Sequence, residues 1–195
     1  SGETLLFGEP VKRRERSVFQ RIGAIIETPG FYPNLTGTEN LEIFAKLRGT
    51  IRPDAVEHAL QVVGLPYKDK KLFGEYSLGM KQRLGIANAI MHDPELLILD
   101  EPLSGLDPIN ADLFKGIIRE EIAAGKYLIM SSHQMATVEE FCTDLTILDR
   151  SKTVLQGHLN DIKRSYGRVH LQLKTEEDAG PYLSLIHISE PTRRS

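Results

Sequence analysis

The feature that most constrains the fold is a continuous apolar run, Leu96–Leu99, that ends in two adjacent acids, Asp100 and Glu101. A short apolar run bounded by polar residues is typical of a strand that is buried on both faces. Comparable runs at Arg21–Ile26 and Tyr127–Ser131 are separated from it by segments with helical spacing of apolar residues. This alternation predicts an α/β fold built on a parallel sheet.

The remaining predicted elements continue the same alternation. Helices are predicted at Thr38–Arg48, with Thr38 as N-cap and Gly49 as stop, and at Pro53–Val63, Gly79–Met91, Asn110–Ala124, Gln134–Cys142 and Asn160–Tyr166. Further strands are predicted at Leu145–Leu148 and, as part of a hairpin, at Thr153–Gln156. We therefore expect one sizeable core.

Composition excludes several classes of function. The 195 residues are 41% hydrophobic and 26% charged, which is ordinary for a soluble globular domain. A net charge of -3 gives no overall attraction to nucleic acid or anionic membranes. Cys142, the single cysteine, cannot form an intramolecular disulfide or a thiolate metal site. No stretch approaches the roughly 18 apolar residues of a membrane span, so another chain must cross the bilayer if this protein serves a membrane process.

The two acids after the apolar run predict a cation site beside a water site. Ligands of open α/β sheets bind at the carboxyl ends of the strands, where Asp100 and Glu101 emerge. We expect Asp100 to hold Mg²⁺ and Glu101 to orient and polarise the attacking water. The alternative is a strand that ends in an ordinary polar turn. Pro102 and the following Ser104–Asp107 favour the functional interpretation.

Three segments in a fixed order between Tyr76 and Asp107 carry a family resemblance. They are Tyr76–Arg83 (YSLGMKQR), Leu96–Pro102 (LLILDEP) and Ser104–Asp107 (SGLD). Together they resemble the signature, Walker B and D-loop of an ABC-type ATPase. The resemblance implies a P-loop NTPase-type parallel sheet with a helical subdomain at about residues 33–93, within a partial ATP-binding domain at residues 1–182.

The resemblance also implies which residues contact ATP. In this family the signature, here Ser77, Gly79 and Gln82, closes over the γ-phosphate bound by the other monomer of a head-to-tail dimer. Asp107 is then a D-loop acid that communicates across the dimer. His133, behind the predicted strand Tyr127–Ser131, matches the switch position that contacts the γ-phosphate or the water. Ser77 as a simple N-cap and His133 as a loop histidine are the alternatives.

Glu27 departs from the commonest family pattern. Most members have glutamine after this strand, in contact with magnesium and the water. Two unit charges about 4 Å apart repel by about 4 kcal/mol at a surface-like dielectric, so Mg²⁺ must lie between Glu27 and a triphosphate. The segment Ile25–Thr36 resembles a subgroup of ATPases paired with exporters that confer immunity to lantibiotics or bacitracin, and that subgroup also uses glutamate here.

The resemblance implies partners and a location. The partners are a transmembrane permease and a second ATPase copy, as homodimer or heterodimer, with no nucleic acid, at the cytoplasmic face of the membrane. Phe31, Tyr32 and Pro33 either form an apolar surface for a short permease helix or belong to the core. A soluble ABC ATPase that acts on DNA or ribosomes is the second hypothesis.

The two ends of the chain carry their own expectations. No G-x-x-x-x-G-K-[ST] phosphate loop occurs, so we expect it upstream of Ser1 and expect negligible ATP binding by the chain as given. An inactive truncated product is therefore a third hypothesis. Residues 183–195 (LSLIHISEPTRRS) resemble a translated sequencing adapter, and we expect a non-native tail there.

Overall fold

A computed structural model describes residues 4–11, 16–26, 30–49 and 52–166 of the chain. Glu27 and the predicted tail at 183–195 lie outside these residues. The chain divides into two compact units, with the boundary between Ser131 and Ser132.

The first unit contains the elements up to β5. In chain order they are β1 (Leu5–Leu6), β2 (Glu9–Pro10), α1 (Arg16–Gln20), β3 (Ile22–Ile25), α2 (Gly37–Arg48), α3 (Ala55–Val62), a 3₁₀ turn (Phe73–Glu75), α4 (Leu78–Ile90), β4 (Leu96–Asp100), α5 (Pro108–Ala123) and β5 (Tyr127–Ser131). No helix among the described residues has both the length and the apolar character needed to cross a membrane.

The predicted parallel sheet is confirmed. Strands β3, β4 and β5 pair in that order, with Ile25 opposite Leu99 and Asp100 opposite Ser131. Helix α4 packs so closely on β3 that a Cβ at Gly23 would lie 2.1 Å from the carbonyl oxygen of Ala89. The carboxyl end of the central strand therefore reaches the edge of the sheet with Asp100 beside Ser131.

The start of α2 differs from the prediction. Thr36, and not Thr38, is the N-cap, because Thr36 and Glu39 form a capping box in which each side chain accepts a hydrogen bond from the backbone of the other. Thr38 is buried, and its Oγ1 accepts a hydrogen bond of 2.9 Å from the amide of Lys68. Gly49 ends the helix as predicted.

The segment before α2 is split between core and surface. Phe31 is buried and packs edge-to-face on Phe44 and Phe73, with ring centroids 5.4 and 5.2 Å apart. Tyr32 is 52% exposed, and Pro33 beside it is exposed as well. The fully buried Asn40 holds this segment, since its side chain accepts from the Tyr32 amide at 2.8 Å and donates to the Tyr32 carbonyl at 3.1 Å.

The second unit contains α6 (Met135–Phe141), β6 (Asp144–Asp149), β7 (Lys152–His158) and α7 (Leu159–Tyr166). Strands β6 and β7 form the predicted hairpin as an antiparallel pair, both longer than predicted. An ion pair of 3.1 Å between Lys163 and Glu139 connects α7 to α6.

Candidate functional site

The two acids after β4 lie on a tight turn. Asp100 is the last residue of the strand, and Glu101 has a φ of 43°, in the left-handed region that non-glycine residues rarely occupy. The Glu101 carbonyl accepts from the Ser104 amide at 3.0 Å, and the buried Pro102 and Leu103 anchor the turn. Such a conformation costs about 1 to 3 kcal/mol and is common where a side chain must be aimed at a ligand.

Ser131 contacts both acids. Its Oγ accepts a hydrogen bond of 2.9 Å from the Glu101 amide and donates to Oδ1 of Asp100. Ser131 is not among the residues predicted for the site. No signal within either strand points to it, because the position of Ser131 opposite Asp100 depends on the register between β4 and β5.

Ser77 is the N-cap of α4, which was the alternative interpretation of this residue. Its Oγ accepts from the Met80 amide at 3.3 Å, which uses one lone pair and leaves the hydroxyl able to donate its proton to an anion. The first amide groups of α4 have no acceptor within the helix, so this end attracts negative charge. Gln82 lies further along α4, and its Oε1 is buried with no hydrogen-bond partner among the described residues.

Asp107 caps the neighbouring helix, α5. Its Oδ1 accepts from the amides of Ile109 and Asn110, both at 3.1 Å, and its Oδ2 accepts from the side-chain amide of Asn110. These bonds, led by that of the Asn110 side chain, hold the pKa of Asp107 below its usual value. Because Asp107 is the cap, α5 begins at Pro108, two residues before the predicted start.

The starts of α4 and α5 touch each other. A Cβ at Gly79 would lie 2.6 Å from Cγ of Asn110, and a Cβ at Gly105 would lie 3.2 Å from Leu78 Cδ2. Absence of a side chain at Gly79 therefore allows Asn110 to approach α4. The structure thus brings the predicted signature residues next to the predicted D-loop acid.

His133 belongs to the second unit, in the loop between β5 and α6. Its side chain is exposed, and the preceding Ser132 accepts a hydrogen bond of 3.0 Å from the amide of Gln134. The predicted switch role of His133 and the predicted magnesium role of Glu27 remain predictions.

The oxygen donors at the sheet edge suit a hard cation. Asp100 supplies a carboxylate, one oxygen of which accepts the hydroxyl proton of Ser131 while the other stays available to a cation. No group of three or more His, Cys, Asp or Glu side chains that could hold a metal occurs among the residues described. Mg²⁺ is commonly held by one or two carboxylates together with substrate phosphates, so this donor set fits Mg²⁺ bound with a nucleotide.

Comparison with known proteins decides the family. The sequence model of the ABC transporter family matches residues 1–104, more than half of the 195-residue chain. The chain belongs to the ABC transporter family. The resemblance carried by Tyr76–Asp107 and the predicted fold class are thereby confirmed.

Individual relatives within the ABC transporter family agree with this result. The chain is 44% identical over 164 residues to the bacitracin transport ATP-binding protein BcrA of Enterococcus faecalis, covering 84% of the chain and 53% of that protein. It is 41% identical over 183 residues to BcrA of Bacillus licheniformis, covering 92% and 59%. A solved ATP-binding subunit of an ABC transporter superposes with a TM-score of 0.71 at 30% identity, covering 82% of the chain and 68% of that structure. The chain spans somewhat more than half the length of these BcrA proteins.

Proposed function

We propose that this chain is part of the ATP-hydrolysing subunit of a bacterial exporter of bacitracin-type peptide antibiotics. The observation that carries the proposal is the turn after β4, which presents Asp100 and Glu101 at the carboxyl edge of the sheet in a member of the ABC transporter family. Similarity to two BcrA proteins supports the choice of substrate class.

The proposed chemistry assigns separate roles to the two acids. Asp100 holds Mg²⁺, which when bound neutralises charge on the phosphate oxygens. Glu101, which follows Asp100 with a left-handed backbone, orients the attacking water and accepts its proton. Glu27 is proposed to help hold the cation, and His133 to contact the γ-phosphate.

A second copy completes the proposed site. Ser77 and Gly79 at the start of α4 face the γ-phosphate bound by the partner copy, where the Ser77 hydroxyl and the first amides of α4 donate to phosphate oxygens. Gln82 is proposed to assist from the same helix. Asp107 links the two sites across the dimer, which is either a homodimer or a pair with a related subunit.

The proposed membrane partner docks beside α2. Tyr32 and Pro33 are exposed next to the buried Phe31, and Asn40 fixes the backbone that carries them. We propose that they contact a short cytoplasmic helix of a transmembrane permease, which holds the ATPase at the cytoplasmic face of the membrane.

Replacing the proposed general base tests the catalytic assignment. In the intact subunit, Glu101→Gln keeps the size of the side chain but removes its ability to accept a proton. We expect ATP turnover to fall about a hundredfold or more, with ATP remaining bound. Glu120→Gln, at an exposed position on α5, is the matched control and should retain normal turnover. Normal turnover by Glu101→Gln would remove Glu101 from this role.

A further inference from the structure

One hydroxyl group, that of Ser131, forms hydrogen bonds to the carboxylate of Asp100 and to the backbone amide of Glu101. Ser131 ends β5 directly opposite Asp100, which ends β4. Its Oγ lies 2.9 Å from the backbone nitrogen of Glu101 and within hydrogen-bond distance of Asp100 Oδ1. These three residues belong to the same compact unit, and Ser131 and Asp100 are exposed where a ligand can reach them.

The direction of each hydrogen bond follows from the groups involved. An amide N–H can only donate, so the Ser131 oxygen accepts from Glu101. The hydroxyl proton is then available for the Asp100 carboxylate, and a serine hydroxyl can accept and donate at the same time. The two bonds are therefore compatible and can form together.

We propose that Ser131 is a positioning residue for ATP hydrolysis, which fixes the Asp100 carboxylate and the Glu101 backbone relative to each other. The inference rests on the proposed function and adds to it a residue outside the predicted motifs. One Asp100 oxygen accepts the Ser131 proton, which restricts rotation of the carboxylate that would hold the cation. The other bond holds the Glu101 amide where the chain leaves the sheet in its left-handed turn.

Ser131 contributes by orienting Asp100 and Glu101, because phosphoryl transfer depends mainly on the placement of charges and water. Ser131 does not touch the reacting atoms in this account and acts only through the two acids. Its removal should therefore change turnover and cation affinity more than it changes binding of ATP.

Threonine and valine at position 131 form a matched pair of variants. Both are β-branched, suit a strand and have nearly the same shape, but only threonine keeps the hydroxyl. We expect Ser131→Thr to behave like the unchanged protein and Ser131→Val to lose both hydrogen bonds. Should the Val variant fail to fold, as judged by its thermal unfolding, Ser131→Ala takes its place.

Amide hydrogen exchange in the intact subunit, without nucleotide, tests the contact itself. In the Val variant the Glu101 amide should exchange about tenfold faster, since it loses its acceptor, while the Thr variant should stay within about twofold of the unchanged protein. Equal exchange at Glu101 in the Thr and Val variants would overturn the proposal.

Steady-state kinetics and direct cation binding test the role. We expect kcat of the Val variant to fall roughly tenfold to a hundredfold with little change in KM for ATP, and the Thr variant to restore it. Mn²⁺ binding in the presence of a non-hydrolysable ATP analogue, followed by electron paramagnetic resonance, should weaken for Val and not for Thr. Equal kcat and equal Mn²⁺ affinity of the two variants in an active protein would refute the role of Ser131. Absence of turnover in the unchanged intact subunit would refute the proposed function itself.

Discussion

His92 is a half-buried ionisable residue near the amino end of β3, at the opposite end of the sheet from the acids. Its Nε2 lies 3.0 Å from the carbonyl oxygen of Ile22 and 3.3 Å from Nη1 of Arg48, at the end of α2. Burial, together with the positive charge of Arg48, lowers the pKa of His92 to about 4. The neutral ring therefore lies between Arg48 of α2 and Ile22 of β3. Protonation would place the positive charge of the ring beside that of Arg48.

This pKa predicts how stability depends on pH. A histidine with a pKa of 6.5 when unfolded and about 4 when folded binds its proton more readily in the unfolded state. The contribution of neutral His92 to the free energy of unfolding is complete above pH 6.5. It is lost as the pH falls towards 4, with a slope of at most about 1.4 kcal/mol per pH unit. We expect His92→Gln to flatten the fall in the free energy of unfolding across this interval.

Urea unfolding at a series of pH values measures this dependence. His58→Gln, at an exposed position on α3, is the control and should keep the pH dependence of the unchanged protein. The expectation would be contradicted if the free energy of unfolding had the same pH dependence in His92→Gln as in the unchanged protein.

At the scale of elements, two helix starts are held together by one glycine and one asparagine. Asn110 bonds to Asp107 in its own helix and packs against Gly79 of α4, where there is no room for a Cβ. The start of α4 and the start of α5 are therefore in direct contact through Asn110. A larger residue at position 79 has to displace the Asn110 side chain.

A double-mutant cycle tests this contact. Gly79→Ala alone should destabilise the protein because the new Cβ collides with Asn110. In the Asn110→Ala background the collision is absent, and alanine is the better helix former, so the same change should be neutral or stabilising. We expect an interaction energy of about 0.5 to 3 kcal/mol, measured by urea unfolding.

Gly116 provides the control for this cycle. It lies in α5, where an added Cβ would meet nothing within 4 Å, so Gly116→Ala should stabilise by about 0.5 to 1 kcal/mol whichever residue stands at position 110. Strictly additive effects of Gly79→Ala and Asn110→Ala would show that the contact carries no energy.

Much of the element order could be predicted from the sequence, since short apolar runs and helical spacing are local signals. The parallel direction of β3 and β4 followed from their alternation with helices, whereas the order of the strands in the sheet did not. Thr38 was the wrong N-cap because two threonines stand close together, and the glutamate three residues after Thr36 decides between them. The contacts of Ser131 require the register of two strands, which spacing within one segment does not contain.

At the scale of the whole molecule, the proposed ATP site needs two copies of the chain. Each copy carries the acids at the edge of its sheet and the capped start of α4, and the proposed site needs the acids of one copy and the cap of the other. In the intact subunit, Glu101→Gln blocks hydrolysis, so the dimer with bound ATP should accumulate.

Sedimentation of this Glu101→Gln subunit with radiolabelled ATP at millimolar magnesium tests that claim most directly. We predict a dimer that carries ATP, and a return to monomer when Ser77→Arg is added, because the bulky cation fills the space proposed for the γ-phosphate. A subunit that binds no ATP under these conditions, or that stays monomeric with ATP bound, would contradict the account.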